Sequence, residues 1–358
     1  MRALSELFDE TVLVVPCIGP SDRRGEIPLV GHNLSIAQLT MPWGTGIWRK
    51  IGFPLWLLRS STSMVHEILR ADAVHTPVPG DIGTIGIFLA VVFRKRLFVR
   101  HCGNWLVQRT YMERILKWIM ERLAGGRNVM LATGGAPDPP SPRNPHIHWI
   151  FSTTLSHEEL SSCGYPRSPK PSGEIRLIMV GRQEWNKGTS ILIESLPILF
   201  NRFPKTVLDV VGDGTALPTF RKLAGDLGIL DKVVFHGRVT HDTVMQLLRR
   251  ADIFCFPTAA SEGFPKAVLE ALACGLPVIT TNVSVLPQLV GQGCGLLLDD
   301  RTSEAIARAV CLISEDPTRY HDMSACALAT AKSYSLERWR DVIGDHLHTA
   351  WGPLKSHA

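Results

Sequence analysis

The sequence predicts an α/β protein made of two doubly wound domains, and three observations predict it. At 358 residues the chain exceeds the size at which a single hydrophobic core keeps growing, so two domains are expected. With 45% hydrophobic and 20% charged residues it has the composition of a globular chain, which excludes disordered and fibrous classes. From Ile175 onward, short β-branched runs alternate with longer amphipathic ones, the pattern of parallel strands joined by crossover helices.

In the first 155 residues TVLVVP, DAVHTPV, RLFVRH, VMLA and HWIFS read as strands. WLVQRTYMERILKWIMERLAGG reads as a helix with an apolar stripe at Tyr111, Ile115, Trp118, Ile119 and Leu123. The uncharged run Ile82–Phe93 has twelve residues, short of the ~18 to 20 that span a bilayer, and reads as a buried strand or helix. PDPPSPRNP is expected as a loop, and GYPRSPKPSGE, Gly164–Glu174, as an interdomain linker. Beyond it IRLIMV, TVLDVV, KVVFHG, DIFCF and PVITT are nearly continuous apolar strands, suited to a parallel sheet covered on both faces. TSILIESLPILF, TALPTFRKLAGDLG, HDTVMQLLRRA and PKAVLEALACG are the intervening helices. The expected boundaries are therefore an N-terminal domain over 1–163, a linker over 164–174, a C-terminal domain over 175–333 and a last helical segment over 334–358.

Charge and cysteine narrow the function classes. Residues 1–155 hold 17 Lys/Arg against 11 Asp/Glu, so the first half carries the whole positive excess and suits an anionic membrane surface or a phosphorylated substrate. Two short basic clusters without interleaved aromatics give no nucleic-acid motif, and no nucleic-acid partner is expected. Eight scattered cysteines without CxxC pairs read as reduced thiols of a cytoplasmic protein, and no secretory signal opens the chain. No cluster has metal-ligand spacing, so neither metal nor cofactor is expected.

An open α/β sheet binds ligands at the carboxyl ends of its strands, and four such loops stand out. GRQEWNKG, Gly181–Gly188, presents Arg182 and Lys187, a planar fork and a point charge able to meet a phosphate pair; alone it serves equally as a solvated basic turn. GDG, with Gly212 and Gly214, allows close backbone approach, although most such turns are only tight turns. HGRV, His236, Gly237, Arg238 and Val239, ends a strand where a flat base could lie on backbone groups, or is an ordinary strand end. SEGFPKAVLEALACGLPVITT, Ser261–Thr281, places Glu262 before a helix and Glu270 within it, with Pro265 in the first turn and amides near Gly263, Phe264 and Lys266 free to meet an anion. Spacing alone favours the simpler reading, Glu262 as a helix-end charge and Glu270 as a buried or solvated helix residue.

SEGFPKAVLEALACGLPV resembles the E-x7-E signature of retaining glycosyltransferases of the family 4 type, and the three preceding loops follow in that family's order across residues 174–333. The resemblance implies a GT-B fold, two Rossmann-like domains facing a central cleft. It implies that Arg182 and Lys187 hold the diphosphate of a nucleotide-sugar, Glu270 the ribose, Glu262 with the Gly263 and Phe264 amides the transferred sugar, and His236–Val239 the base. It implies that the last helix crosses back to the first domain. In RHCGNW it places His101 near the donor sugar, with Arg100 and Asn104 toward the acceptor; the other reading of His101 is a strand-end histidine bonded to backbone. It also implies a first strand and glycine-rich loop that the chain as given does not show, since MRALSELFDETVLVVP resembles a helix end followed by the second strand.

The expected function is transfer of a hexose-type sugar from a nucleotide-diphosphate sugar to a saccharide or lipid-linked hydroxyl with retention, in bacterial polysaccharide or glycolipid biosynthesis. Residues Val107–Leu123 are a candidate surface for the inner face of the membrane, with Arg109, Arg114, Lys117 and Arg122 beside Met112 and Trp118; the other reading is a domain helix with a solvated basic side. The competing class is a nucleotide-sugar-binding protein impaired in catalysis by the missing segment. A dinucleotide-dependent enzyme is excluded because no GxGxxG follows a strand.

Overall fold

The computed structural model describes residues 2–17, 29–42, 46–108, 110–136, 138–162, 164–169, 173–261 and 263–354. Contacts divide the chain into two compact units, the first over Met1–Thr133, Pro137–Ile150 and Arg340–Ala358, the second over Gly134–Ala136 and Phe151–Trp339.

The first unit contains β1 (Thr11–Pro16), β2 (Leu34–Leu39), β3 (Ala73–Val78), β4 (Arg96–His101), β5 (Asn128–Thr133) and β6 (Ile147–Ile150). They form two separate parallel sheets, a pair β1-β2 and a four-stranded sheet β3-β4-β5-β6. Leu97, Val99, Met130 and Ala132 are wholly buried in the larger sheet's core. The apolar run expected as strand or helix is the helix Asp81–Val92. Its glycines let it lie close on β3: a Cβ on Gly83 would stand 2.2 Å from the Pro77 carbonyl oxygen. The 25-residue helix Gly46–Arg70, which carries Pro54, and strand β2 gave no clear signal in the sequence.

In the helix Tyr111–Leu123 the structure corrects the expected apolar stripe. Leu116 and Met120 are buried, whereas Tyr111 and Trp118 are exposed. Apolar residues cover much of this helix's circumference, so periodicity alone left its rotation open. A capping box between Thr110 and Glu113 sets its start. Lys117, expected among the exposed cations, donates from Nζ to the Trp105 carbonyl at 3.1 Å and lies 5.0 Å from the centre of the Trp105 ring. Burial lowers its pKa. Arg109 lies outside the described residues.

The last helix, Leu336–Trp351, enters the first unit from Arg340, which pairs with Glu6. Trp351 Nε1 donates to the Arg127 carbonyl at 2.8 Å, and His346 stacks on His148 of β6 with ring centres 4.4 Å apart.

The second unit contains β7 (Arg176–Val180), β8 (Val207–Val211), β9 (Val233–Gly237), β10 (Ile253–Phe256), β11 (Val278–Thr281) and β12 (Gly295–Leu298). All run parallel in the order β12-β11-β10-β7-β8-β9, the arrangement of a doubly wound dinucleotide-binding fold. Every residue of β10 and β11 is buried, as strands covered on both faces require. The segment expected as a linker is fastened to this unit where described: the Arg167 amide donates to Ser324 Oγ at 2.8 Å, and its guanidinium to the carbonyls of Ala251 and Arg249. Phe151–Ser162 also belongs here, because Leu155 and Leu160 are buried in this unit's core. No helix among the described residues is long and apolar enough to cross a membrane.

Candidate functional site

Strand order in the second unit runs outward from β7 on one side and from β10 on the other, so the crevice of the sheet opens at their carboxyl ends. The loops there are Gly181–Gly188 and the stretch from Pro257 to Pro265, two of the four singled out above. They touch. Gly188 has φ +88, and a Cβ there would stand 2.3 Å from the Pro257 carbonyl oxygen, so only glycine permits the approach. The Asn186 carbonyl accepts from the Ala259 amide at 2.8 Å, and Arg301 donates to the carbonyls of Pro257 at 2.6 Å and Trp185 at 3.3 Å.

The glycine loop after β8 is clamped to the first of these. Gln183, wholly buried, donates from Nε2 to the carbonyls of Gly181 (2.8 Å) and Val211 (3.1 Å) and accepts at Oε1 from Thr189 Oγ1 (2.8 Å). Its amide donates to the Asp213 carbonyl at 3.0 Å. Gly212 has φ +117, and a Cβ there would lie 2.0 Å from the Gly181 oxygen; one on Gly214 would meet the Gln183 backbone at 2.4 Å. The absent side chains thus serve contact between loops. The Gly212 amide in turn donates to the Gly237 carbonyl at 2.8 Å, joining the turn after β9.

Two cations stand on the first loop in different surroundings. Lys187 closes a short 3-10 turn, Trp185–Lys187, and is 7% exposed, its Nζ 5.7 Å from the centre of the Phe256 ring. Arg182 is exposed, and its carbonyl accepts from the Glu184 amide at 2.9 Å.

Glu270 projects from the helix Lys266–Ala273 and is buried. Its Oε1 accepts from Thr154 Oγ1 at 3.3 Å and lies 3.1 Å from His241 Nε2. Burial raises its pKa, against the opposing effect of the His241 charge and hydrogen bond, the Thr154 hydrogen bond and the Lys266 charge. Pro265 caps this helix rather than opening its first turn. The amides of Lys266 and Ala267 precede the first intrahelical bond, made by Val268 to the Pro265 carbonyl, and belong to the positive helix end. Phe264 packs in a cluster with Phe151 and Tyr334, which orients the loop carrying Gly263. Glu262 lies outside the described residues.

His236 departs from the other predicted residues. Phe235 pairs with Val210 and Gly237 with Val211, so His236 is the extra residue of a β-bulge, and its ring turns to Asp209 at 2.8 Å. The backbone of Gly237, Arg238 and Val239 continues along the carboxyl ends, with Gly237 at φ +65. The four loops thus form a continuous hydrogen-bonded series, from Ala259 through Asn186, Gln183 and Gly212 to Gly237, with the His241–Glu270 contact beyond it.

In the first unit His101 ends β4, 1% exposed, its ring edge-on to Trp105 at 5.3 Å. Neither ring nitrogen has a hydrogen-bond partner among the described residues. Burial lowers its pKa, partly offset by the nearby Gly103 backbone and the Glu113 charge. Arg100 alternates to the other face, where its charge acts on His75. Asn104 Oδ1 accepts from the amides of Leu106 (2.9 Å) and Val107 (3.1 Å), which shapes its own loop.

Sequence reasoning missed His241, Thr154, Gln183 and Arg301. His241 follows the helix cap Thr240 and had a local signal in its place just after the HGRV turn. Thr154 reaches Glu270 across 116 residues, and nothing local marks it.

The architecture is that of the GT-B glycosyltransferases, two Rossmann-like α/β domains with parallel sheets. Residues 166–328 match the family described as Glycosyl transferases group 1. The chain is 32% identical over 172 residues to a GDP-mannose-dependent alpha-(1-6)-phosphatidylinositol monomannoside mannosyltransferase of Mycolicibacterium smegmatis, covering 46% of this chain and 44% of that one. It is 33% identical over 185 residues to a D-inositol 3-phosphate glycosyltransferase of Streptomyces griseus, covering 49% and 39%. The chain thus spans less than half the length of these curated relatives. In fold it is similar to Anabaena HepE solved with UDP and glucose, with TM-score 0.68, 18% identity and 89% and 87% of the two chains covered. WaaG, a glycosyltransferase involved in lipopolysaccharide biosynthesis, gives TM-score 0.63 at 18% identity, covering 90% and 88%.

Proposed function

We propose that this protein is a glycosyltransferase of the retaining, family 4 type that moves a hexose-type sugar from a nucleotide-diphosphate sugar to a hydroxyl of a saccharide or lipid-linked acceptor. The observation that carries this reading is the stitched series of four loops at the carboxyl ends of the second sheet, with a buried lysine at the switch point and a buried, doubly contacted Glu270 beside it. In this reading Arg182, Lys187 and the amides at the start of the Lys266–Ala273 helix neutralise the charge that grows on the departing diphosphate, the largest contribution to rate. Glu270 accepts from the ribose hydroxyls, Glu262 with the amides of Gly263 and Phe264 from the transferred sugar, and the Gly237–Val239 backbone meets the base.

His101, held neutral by burial, is proposed to bond the donor sugar, with Arg100 and Asn104 toward the acceptor. On the front-face route the leaving phosphate takes the acceptor proton, so the scheme calls on neither a general base nor a metal. The relatives' names place GDP-mannose and phosphatidylinositol mannoside among their substrates, and HepE was solved with UDP, so GDP- and UDP-sugars are the first donors to try. We further propose peripheral attachment at the inner face of the membrane, through the exposed Tyr111, Met112, Arg114, Trp118 and Arg122.

The division of the first unit into two sheets favours one second reading, binding of nucleotide-sugar without turnover. Thermal shift against UDP-, GDP- and ADP-sugars, followed by assay of nucleoside diphosphate release, tests both. A ligand at 100 times its Kd stabilises by about 2.7 kcal/mol. A shift with release supports transfer, a shift without release supports the second reading, and no shift with any donor overturns both.

A further inference from the structure

Two cysteines of the second unit stand sulfur to sulfur. Cys294 immediately precedes β12, the end strand of the sheet, and Cys326 lies in the helix Pro317–Lys332. Their Sγ atoms are 2.8 Å apart, within about 1 Å of the ~2.05 Å length of a disulfide bond. The residues are 32 apart in sequence, so tertiary packing alone brings them together.

Their surroundings differ in the way an attacking and a resolving thiol require. Cys326 is half-buried, and its Sγ donates to the carbonyl of exposed Gln292 at 3.2 Å. Cys294 is wholly buried. Burial, then the hydrogen bond with Cys326, raises the pKa of Cys294, against the opposing Thr330 bond. Thr330 Oγ1 lies 3.1 Å from Cys294 Sγ and 3.9 Å from Cys326 Sγ, one hydroxyl beside both sulfurs. The first reaction with a soluble oxidant therefore falls to Cys326, and Cys294 is placed to displace what Cys326 gains.

The backbone on either side is already anchored. The Cys294 carbonyl accepts from the Val278 amide of β11 at 3.1 Å. In the helix, Ser324 Oγ donates at 2.7 Å to the carbonyl of Gly275, just past the helix that carries Glu270. Beyond the helix the chain continues to Tyr334, whose ring packs on Phe264 with centres 5.5 Å apart.

We propose that Cys294 and Cys326 are a reversible redox pair that hydrogen peroxide converts to an intramolecular disulfide, pinning the helix Pro317–Lys332 to the edge of the second sheet. The Cys326 thiolate attacks one peroxide oxygen, the O–O bond breaks, and the departing hydroxide takes the thiol's proton to leave as water, giving a sulfenic acid. The Cys294 sulfur then attacks the Cys326 sulfur and displaces hydroxide, which takes the Cys294 proton and leaves as a second water. Two thiols and one peroxide thus become one disulfide and two waters. A dithiol reductant reverses the change by thiol–disulfide exchange and is itself oxidised to a disulfide.

The test uses the full chain, reduced with dithiothreitol, desalted, treated with one equivalent of hydrogen peroxide, then alkylated and mapped by peptide mass spectrometry. The expected product is one peptide pair joined through Cys294 and Cys326, reopened by dithiothreitol. Tm of the treated protein should exceed that of the reduced protein by about 4 °C or more, since the bond closes a long loop of the unfolded chain. Cys102→Ser, which removes an exposed thiol, should keep the link and the shift, and Cys326→Ser should lose both. Should Cys326→Ser fail to fold, the mapped link and the Tm shift of the wild type decide. Absence of the link, a bond to another cysteine or between two chains, sulfinic acid at Cys326 with Cys294 still reduced, a link that dithiothreitol does not reopen, or an unchanged Tm overturns the proposal. None of these readouts uses a sugar donor, so a failure here leaves the glycosyltransferase reading standing.

Discussion

The strand ends of the two units are built on opposite plans. In the second, each carboxyl-end loop is bonded to the next, glycines sit where any Cβ would collide, and Gln183 and Arg301 spend their donors on neighbouring carbonyls. In the first, the loop after β4 encloses a histidine with neither ring nitrogen bonded among the described residues, and the sheet is in two pieces. The first unit also exposes Trp48, Leu58, Phe88, Tyr111 and Trp118. A site whose parts are held by backbone bonds needs no reordering to receive charge, whereas unpartnered polar atoms and open apolar surface are completed by what binds there. Preorganisation belongs to the second unit.

The comparison breaks first at Lys187. If the second unit holds the diphosphate, Lys187→Ala lowers kcat/KM for the nucleotide-sugar by about 10²- to 10³-fold while His101→Ala leaves donor affinity less affected. Steady-state kinetics with retained circular dichroism checks this, and near wild-type kinetics for Lys187→Ala removes the assignment.

The stitching itself is tested at Gly212. A methyl at φ +117, 2.0 Å from a carbonyl oxygen, forces two loops apart, and Gly212→Ala is expected to lose about 3 kcal/mol. The urea midpoint should fall with an unchanged slope. A midpoint equal to the wild type would mean that the loops move freely.

Glu270 sharpens the contrast between binding and stability. Glu270→Gln removes a charged acceptor and is expected to weaken donor binding by about 10- to 100-fold, measured calorimetrically. The same change should raise Tm near neutral pH, because the folded carboxyl has a raised pKa and its ionised form is penalised by burial. The penalty is absent below the unfolded value of about 4.3 and grows as pH rises through the raised folded value, so the Tm gain of the variant should shrink on acidification. A gain independent of pH would assign the effect to packing.

The first unit should respond to acid in the reverse sense. Burial lowers the pKa of stacked His148 and His346, followed by the charge of His146 at His148 and of His148 at His346. Unfolded histidine binds protons more readily, so stability from this pair is lost as pH falls through about 6.5 toward the lowered folded values. His346→Gln should flatten that loss in Tm scans between pH 7 and 5. The smallest expected effect is at the membrane: Arg114→Ala should lower sedimentation with anionic vesicles by about twofold to tenfold, following ~1 kcal/mol per surface cation.

Legibility followed the same division. The second unit's strands were plain because a doubly covered sheet needs unbroken apolar runs, and Arg182 and Lys187 stood out as candidates because strand ends mark loops, whereas Glu270, inside a helix, stood out only through the family resemblance. β2 and the Gly46–Arg70 helix were not plain, since an exposed pair of strands and a helix carrying Pro54 lack a clean period. The Tyr111–Leu123 helix was found, and Ile119 and Leu123 of its expected stripe pack on the core, but its buried centre at Leu116 and Met120 and the exposure of Tyr111 and Trp118 were not.

By itself the sequence determined the alternation of strand and helix, and with it the class of fold and the four loops, because burial on two faces and glycine-marked turns are local demands on composition. Only the tertiary structure decided which groups meet across long separations. Thr154 and His241 reach Glu270, Gln183 joins two loops, and a one-residue bulge turns His236 toward Asp209 rather than along the strand ends. Those pairings depend on register and on packing between distant segments, which no local pattern encodes.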